Sequence, residues 1–255
     1  MSNPSEISEP KIVTREQWLA ARKALLAEEK KLTRAYDEVA RQRRALPWVK
    51  VEKDYVFDTL DGPRTLADLF AGRSQLFIYH FMLAPGWENP CTGCSFIADH
   101  VDAARQHFEH ADLSFAAVSR ATIEEIEKVR RRLGWKFTWV SSNKNTFNND
   151  YAVSFTKDQI ASGKATYNYA PYDGDCEDLH GESIFAKDGA GDIYHTYSSY
   201  ARAGERLIGA FQFLDLTPKG RNETDGIMSW VRLHDQYETT GDSCGCCHPK
   251  EEPTA

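Results

Sequence analysis

Long apolar runs are missing from this chain. None reaches the roughly 18 consecutive apolar residues of a membrane span, so no transmembrane helix is expected. The opening, Met1 to Pro10, is polar and carries no apolar secretory core. Basic charge is also short: the formal net charge is -7 and the pI about 5.7, which argues against general binding to nucleic acid or to anionic membranes. No internal repeat is present. These absences predict a cytoplasmic protein, in a compartment where structural disulfides are rare. The six cysteines are then expected to be reduced, and catalytic or metal-binding.

What is there is a core. Of 255 residues, 41% are hydrophobic and 12% aromatic, enough for one sizeable α/β domain with extensions or for two small ones. The patterning divides the chain into an N-terminal helical extension (1–46), a main domain (47–220) and a C-terminal segment with a cysteine-rich tail (221–255). Thr14 and Gln17 read as a capping box that opens a helix running to about Arg44. Its apolar stripe, Trp18, Leu25, Leu32, Tyr36 and Val39, is narrow and near-heptad, so it packs along one seam. That seam lies either against its own domain or across a homodimer.

Pro47 ends this helix. A strand over Tyr55–Thr59 and a short helix over Leu66–Phe70 follow. The segment Gln75–Leu83 is apolar on both faces, as a central buried strand is. Further on, the pattern predicts a helix over Ser95–Phe108, a strand over Leu113–Ser119 and a capped helix between Thr122 and Gly134. A strand over Phe137–Val140, loops over 143–150 and 163–181, a hairpin over Ile184–Ser198 and a helix over Ala203–Leu214 complete it. Strands alternating with helices imply parallel pairing, and the hairpin adds antiparallel strands. The fold class is α/β with a mixed sheet.

The motif Cys91-Thr-Gly-Cys94 falls where the strongest strand meets a helix. Backbone N–H groups at a helix start favour a thiolate on the first cysteine. The second lies one turn on, within disulfide reach. Cys91 is thus a candidate nucleophile toward a disulfide or peroxide, and Cys94 the group that resolves the intermediate. Trp87 and Pro90 are placed to shape access. The same pair also reads as half of a zinc site needing two further ligands, or as two buried structural thiols.

At the tail, Cys244, Cys246, Cys247 and His248 offer four soft ligands for monovalent copper or zinc. They also read as a secondary dithiol, or as incidental residues of a tail. His100, His107 and His110 read as ligands or as a solvated helix face. Cys176 sits among Asp173, Asp175, Glu177 and Asp178, whose charges disfavour its thiolate.

Tyr55-Val-Phe-Asp-Thr-Leu-Asp-Gly, Leu66-Ala-Asp-Leu-Phe, the strand and its cysteines, and Phe115-Ala-Ala-Val-Ser-Arg resemble peroxiredoxin-like and thioredoxin-like proteins. More narrowly, Cys94-Ser-Phe, His195-Thr-Tyr-Ser and Asp215-Leu-Thr-Pro-Lys-Gly-Arg resemble motifs of a bacterial family of predicted dithiol-disulfide oxidoreductases, domain of unknown function 899. The resemblance spans about Thr14 to Tyr237. It implies a thioredoxin-like mixed sheet flanked by helices, with the long helix added at the N-terminus. It further implies a thiol-disulfide oxidoreductase or thiol peroxidase that acts on a thiol or disulfide substrate and requires no cofactor. A non-enzymatic metal-binding or redox-sensing protein on the same scaffold is the alternative. In thioredoxins a buried Asp on the central strand relays a proton from the second cysteine, and His80 falls at a similar point. It reads as that general base or as a core histidine. Two departures stand out. Gly181-Glu182-Ser183 occupies the stretch where thioredoxins carry a cis-proline. If Cys94 is aligned with the peroxidatic cysteine, Cys91 stands where peroxiredoxins carry a threonine.

Overall fold

The structure, a computed structural model, describes residues 10–237. The capping box closes in both directions, Thr14 N–H to Gln17 Oε1 at 3.1 Å and Gln17 N–H to Thr14 Oγ1 at 3.3 Å. Helix α1 then runs from Arg15 to Arg44 with no residue buried. Near its C-terminal end, Arg43 lies over the ring of Tyr197. Although α1 is long, no helix among the described residues is long and apolar enough to cross a membrane.

Strand β1 (Val49–Lys50) precedes a small ribbon of β2 (Val56–Phe57) and β3 (Arg64–Thr65), then β4 (Gln75–His80). Next come α2 (Thr92–Ala98), α3 (Val101–His110), β5 (Leu113–Ser119), α4 (Ile123–Arg132) and β6 (Thr138–Ser141). Helices α5 (Phe147–Asp150) and α6 (Lys157–Ala161) lead to a second ribbon, β7 (Thr166–Tyr167) with β8 (Ala170–Pro171). The hairpin of β9 (Gly181–Lys187) and β10 (Ile193–Tyr200) and then α7 (Gly209–Leu214) follow.

Six strands form one sheet in the order β1-β10-β9-β4-β5-β6. β4, β5 and β6 are parallel, and β9, β10 and β1 pair antiparallel. This is the thioredoxin-like mixed sheet, with the long α1 added outside it. Side chains alternate across it. On one face Tyr79 and Ala117 pack with α2, α4 and α7 through Cys94, Ile97, Ile126, Val129 and Phe211. On the other, Leu76, Ile78, Ala116 and Val118 pack with Phe57, Phe70, Phe147 and Phe185. Val231 and Leu233, from the segment after Pro218, join the first core.

Several elements differ from the sequence pattern. The helix expected over Ser95–Phe108 breaks into α2 and α3. His100 Nδ1 donates to the Phe96 carbonyl at 2.7 Å, and the His100 N–H turns to Ile97 O at 3.0 Å, so the i→i−4 ladder fails there. The expected Ala203–Leu214 helix is a 3-10 run over Ala201–Leu207 and then α7, separated by Ile208 in an extended conformation. Part of the loop at 143–150 is helical, and β1 was not anticipated; it pairs with only two residues of β10. So short a strand has no readable period.

Candidate active site

The connection after β4 carries the chain to the edge of the first core. The Cys91 N–H donates to Met82 O at 3.2 Å, and Ser95 Oγ donates to Cys91 O at 2.9 Å. Cys91 is therefore the N-cap of α2, and its Sγ accepts the Cys94 N–H at 3.5 Å. Cys91 is half-buried and Cys94 buried, and both are free thiols.

The environments of the two thiols drive their acidities apart. The Cys94 thiol hydrogen-bonds to Cys91 and lowers it to about 6, aided by the Cys94 and Gly93 N–H groups and opposed by burial. Burial, then the hydrogen bond to Cys91 and the Cys91 charge, push Cys94 well above its ordinary value. The more accessible thiol is the more acidic one, and the buried one holds its proton.

Tyr79 faces Cys94 from β4. Its hydroxyl is buried without a hydrogen bond of ordinary geometry. Burial, with the Cys94 charge behind it, pushes its acidity far down. Directly across the sheet from Tyr79 is Glu182 on β9, hence on the same face. Glu182 is 1% exposed. Its Oε2 accepts Ser199 Oγ at 2.7 Å, while Oε1 is buried with no partner. Burial raises its pKa above the usual carboxyl value. Gly204 makes room for it, since a Cβ there would lie 2.5 Å from Oε1.

His80 lies on the opposite face from Cys94, because the alternation that turns Tyr79 toward the dithiol turns its neighbour away. Its Nε2 lies 2.9 Å from Ser183 Oγ, and its ring stacks on Phe147 and Tyr151. Burial lowers it to about 3, so it is neutral. Of the two readings of His80, this placement corrects the general base for Cys94 and fits the core histidine, bonded to a serine hydroxyl.

A pocket of about 260 Å³ opens over the thiols, walled by Tyr79, Ile97, His180, Ala201, Ile227 and Met228, with Arg202 and Glu205 at its rim. Trp87 and Pro90, expected to shape access, are not among its walls; Trp87 is exposed and Pro90 buried beside Cys91. His180 had no signal in the sequence beyond its place just before the hairpin, beside the stretch where thioredoxins carry a cis-proline and this chain has none. Its Nε2–H donates to Ala201 O at 3.1 Å, which leaves Nδ1 unprotonated, and burial lowers its pKa. No cis peptide occurs among the described residues. Met228 covers the motif from the C-terminal segment, its sulfur 3.4 Å from where a Cβ on Gly93 would stand.

Cys176 bonds to Asp178 O at 2.9 Å, apart from this pocket. Among the described residues no group of three or more His, Cys, Asp or Glu gathers as metal ligands. Cys244, Cys246, Cys247 and His248 lie outside the described residues.

The chain belongs to the family described as bacterial protein of unknown function (DUF899), whose profile matches residues 7–237. No curated protein matches it in sequence. Solved structures are similar to it over part of its length. Peroxidoxin BcpB of Mycobacterium tuberculosis is 14% identical with a TM-score of 0.41, over 66% of this chain and 97% of that one. PrxQ of Xylella fastidiosa is 12% identical with a TM-score of 0.43, over 65% of this chain and 94% of that one. Peroxiredoxin Q of Xanthomonas campestris is 17% identical with a TM-score of 0.40, over 62% and 90%.

Proposed function

We propose that this protein is a dithiol oxidoreductase in which Cys91 attacks an electrophilic sulfur or oxygen and Cys94 resolves the product as an intramolecular disulfide. The observation that carries this reading is the placement of the pair: Cys91 caps the start of α2 at the pocket and its sulfur accepts the Cys94 N–H at 3.5 Å, while Cys94 is buried, so that the first thiol is made more acidic and the second less. A thiolate attacks a disulfide or a peroxide, and a thiol that keeps its proton until then does not compete.

Resolution needs somewhere for the Cys94 proton to go. Glu182, with one unpartnered buried oxygen on the dithiol face, is the acceptor in this reading, and Tyr79 is the group between. His180 is a neutral second base at the pocket wall.

Oxidation of the reduced chain by one equivalent of a peroxide or small disulfide is expected to yield a Cys91–Cys94 bond, read by peptide mass spectrometry. Cys94→Ser is expected to stall at a Cys91 sulfenic acid or mixed disulfide. Turnover unaffected by Cys94→Ser would remove this mechanism.

A further inference from the structure

The C-terminal segment crosses the dithiol and then stays beside it. Met228 covers Gly93 of the motif, and Val231 and Leu233 are buried in the first core. The last described residues are tied down next to the thiols. His234 Nδ1–H donates to Oδ1 of Asp99, the C-cap of α2, at 2.6 Å. Arg132, at the end of α4, donates to Asp235 through Nε at 2.7 Å and Nη2 at 3.1 Å, and to Asn89 Oδ1 through Nη1 at 2.9 Å. One guanidinium thus joins the root of the tail to Asn89, and Asn89 lies two residues before Cys91.

Cys244 is nine residues beyond Asp235, so the covalent chain lets it reach up to ~30 Å from that anchor. The way back to Cys91 is one guanidinium and two residues, the latter spanning at most ~7 Å. Within a Cys91–Cys94 disulfide, Cys94 is buried and Cys91 borders the pocket, so an entering thiol meets the Cys91 sulfur. The tail also supplies the second thiol that an exchange needs. Neighbouring Cα atoms stand ~3.8 Å apart, below the roughly 4.4–6.8 Å that a disulfide usually spans. Cys246 and Cys247 are therefore a poor pair, and a disulfide within the tail includes Cys244.

We infer that the tail cysteines are the second dithiol of a relay and take the disulfide over from Cys91 and Cys94. This rests on the dithiol reading above and adds the step that follows it. Cys94, one turn from Cys91, closes first. A tail thiolate then attacks the Cys91 sulfur: an S–S bond to the tail forms, the Cys91–Cys94 bond breaks, and Cys94 leaves and takes a proton. A second tail thiolate attacks the tail sulfur of this mixed disulfide, the tail disulfide closes, and Cys91 leaves as a thiolate. The tail loses two electrons and the Cys91–Cys94 pair gains them, so no external oxidant or reductant enters. Of two disulfides, the one whose reduced form is the better stabilised is the more oxidising. The Cys91 sulfur, as N-cap of α2 and acceptor of the Cys94 N–H, is stabilised in that form, so the exchange runs toward the tail.

The test uses the full reduced chain with a chelator present. At pH 5 one equivalent of dithiodipyridine reaches the most acidic thiol, Cys91, and Cys94 displaces the second thiopyridone. The pH is then raised to 8, and samples are quenched with acid, alkylated and mapped by peptide mass spectrometry. The Cys91–Cys94 bond is expected to fall as a tail disulfide containing Cys244 rises. Cys244→Ser is expected to leave the bond at Cys91–Cys94. Transfer from an oxidised Cys244→Ser chain to a separate, reduced Cys91→Ser chain, each at about 1 µM, is expected to be about a thousandfold slower, because a short tether holds its ends at roughly millimolar concentration. A Cys91–Cys94 bond that forms and then persists at pH 8 overturns the relay and leaves the dithiol reading standing. Transfer between separate chains as fast as within one overturns the relay alone, as does a tail disulfide formed to the same extent when the Cys91→Ser chain is given the oxidant. Failure of the Cys91–Cys94 bond to form at all overturns both.

Discussion

The acidity of Cys91 can be turned into a rate. Its ordinary pKa is 9.0 and the site lowers it to about 6. At pH 5 a thiol of pKa about 6 is about 10% ionised and an unshifted one about 0.01%, roughly a thousandfold difference. Intrinsic nucleophilicity falls with basicity, with a Brønsted slope of about 0.45, and over this shift that returns about twentyfold. Cys91 should therefore exchange with dithiodipyridine about 50-fold faster than an unperturbed thiol at pH 5, but only about fourfold faster at pH 7. The acid limb is the informative one. Stopped-flow exchange from pH 4 to 9, with the labelled cysteine assigned by mass spectrometry, separates Cys91 from the other thiols. Cys94→Ala deletes the thiol hydrogen bond that leads the shift and keeps the backbone N–H. Its midpoint is expected to move upward and most of the advantage at pH 5 to vanish. A wild-type midpoint at or above about 8, or one that Cys94→Ala leaves in place, refutes the reasoning.

Other consequences are equally concrete. Glu182 has a folded pKa raised above its ordinary 4.5, so its contribution to stability is full below that value and is lost as pH rises through the folded value. Glu182→Gln should remove this loss, giving a higher urea midpoint than wild type at pH 8 and little difference at pH 4, while slowing disulfide closure. Equal midpoints at both values, with closure unchanged, argue against a buried ionisable role. His80→Ala should cost about 2–4 kcal/mol, from a core cavity and a lost bond to Ser183, yet leave the exchange rate of Cys91 at pH 5 within twofold of wild type, or about that. A large change in that rate would contradict its place on the far face. Helix α1 has 30 residues and buries none, leaving Trp18, Leu25, Leu32, Tyr36 and Val39 exposed. Most helical stability comes from packing, so the full chain is expected to sediment as a homodimer closed along this stripe. Deletion to Leu46 should give a monomer. A full-length monomer at high micromolar concentration would end that expectation.

Local chemistry was legible in the sequence wherever one short segment sufficed. The Thr14–Gln17 and Thr122–Glu125 boxes depend on four residues each, and both close as bonds. The positive φ of 68° at Gly134, the central strand and the dithiol at the start of a helix are likewise properties of contiguous stretches. What the sequence could not supply was which face of β4 the dithiol meets. An apolar strand buried on both sides has no polar alternation to show it, so His80 and Tyr79 were equivalent until α2 packed on one side. Glu182, Ser199, Gly204 and His180 lie at least 86 residues beyond Cys94. They reach the site only because β9 pairs with β4 in one register, Tyr79 against Glu182. A shift of a single residue would carry that carboxyl to the other face of the sheet. Sequence alone determined that a cysteine pair sits at the start of a helix; the pairing of distant strands decided which buried polar groups share its face of the sheet.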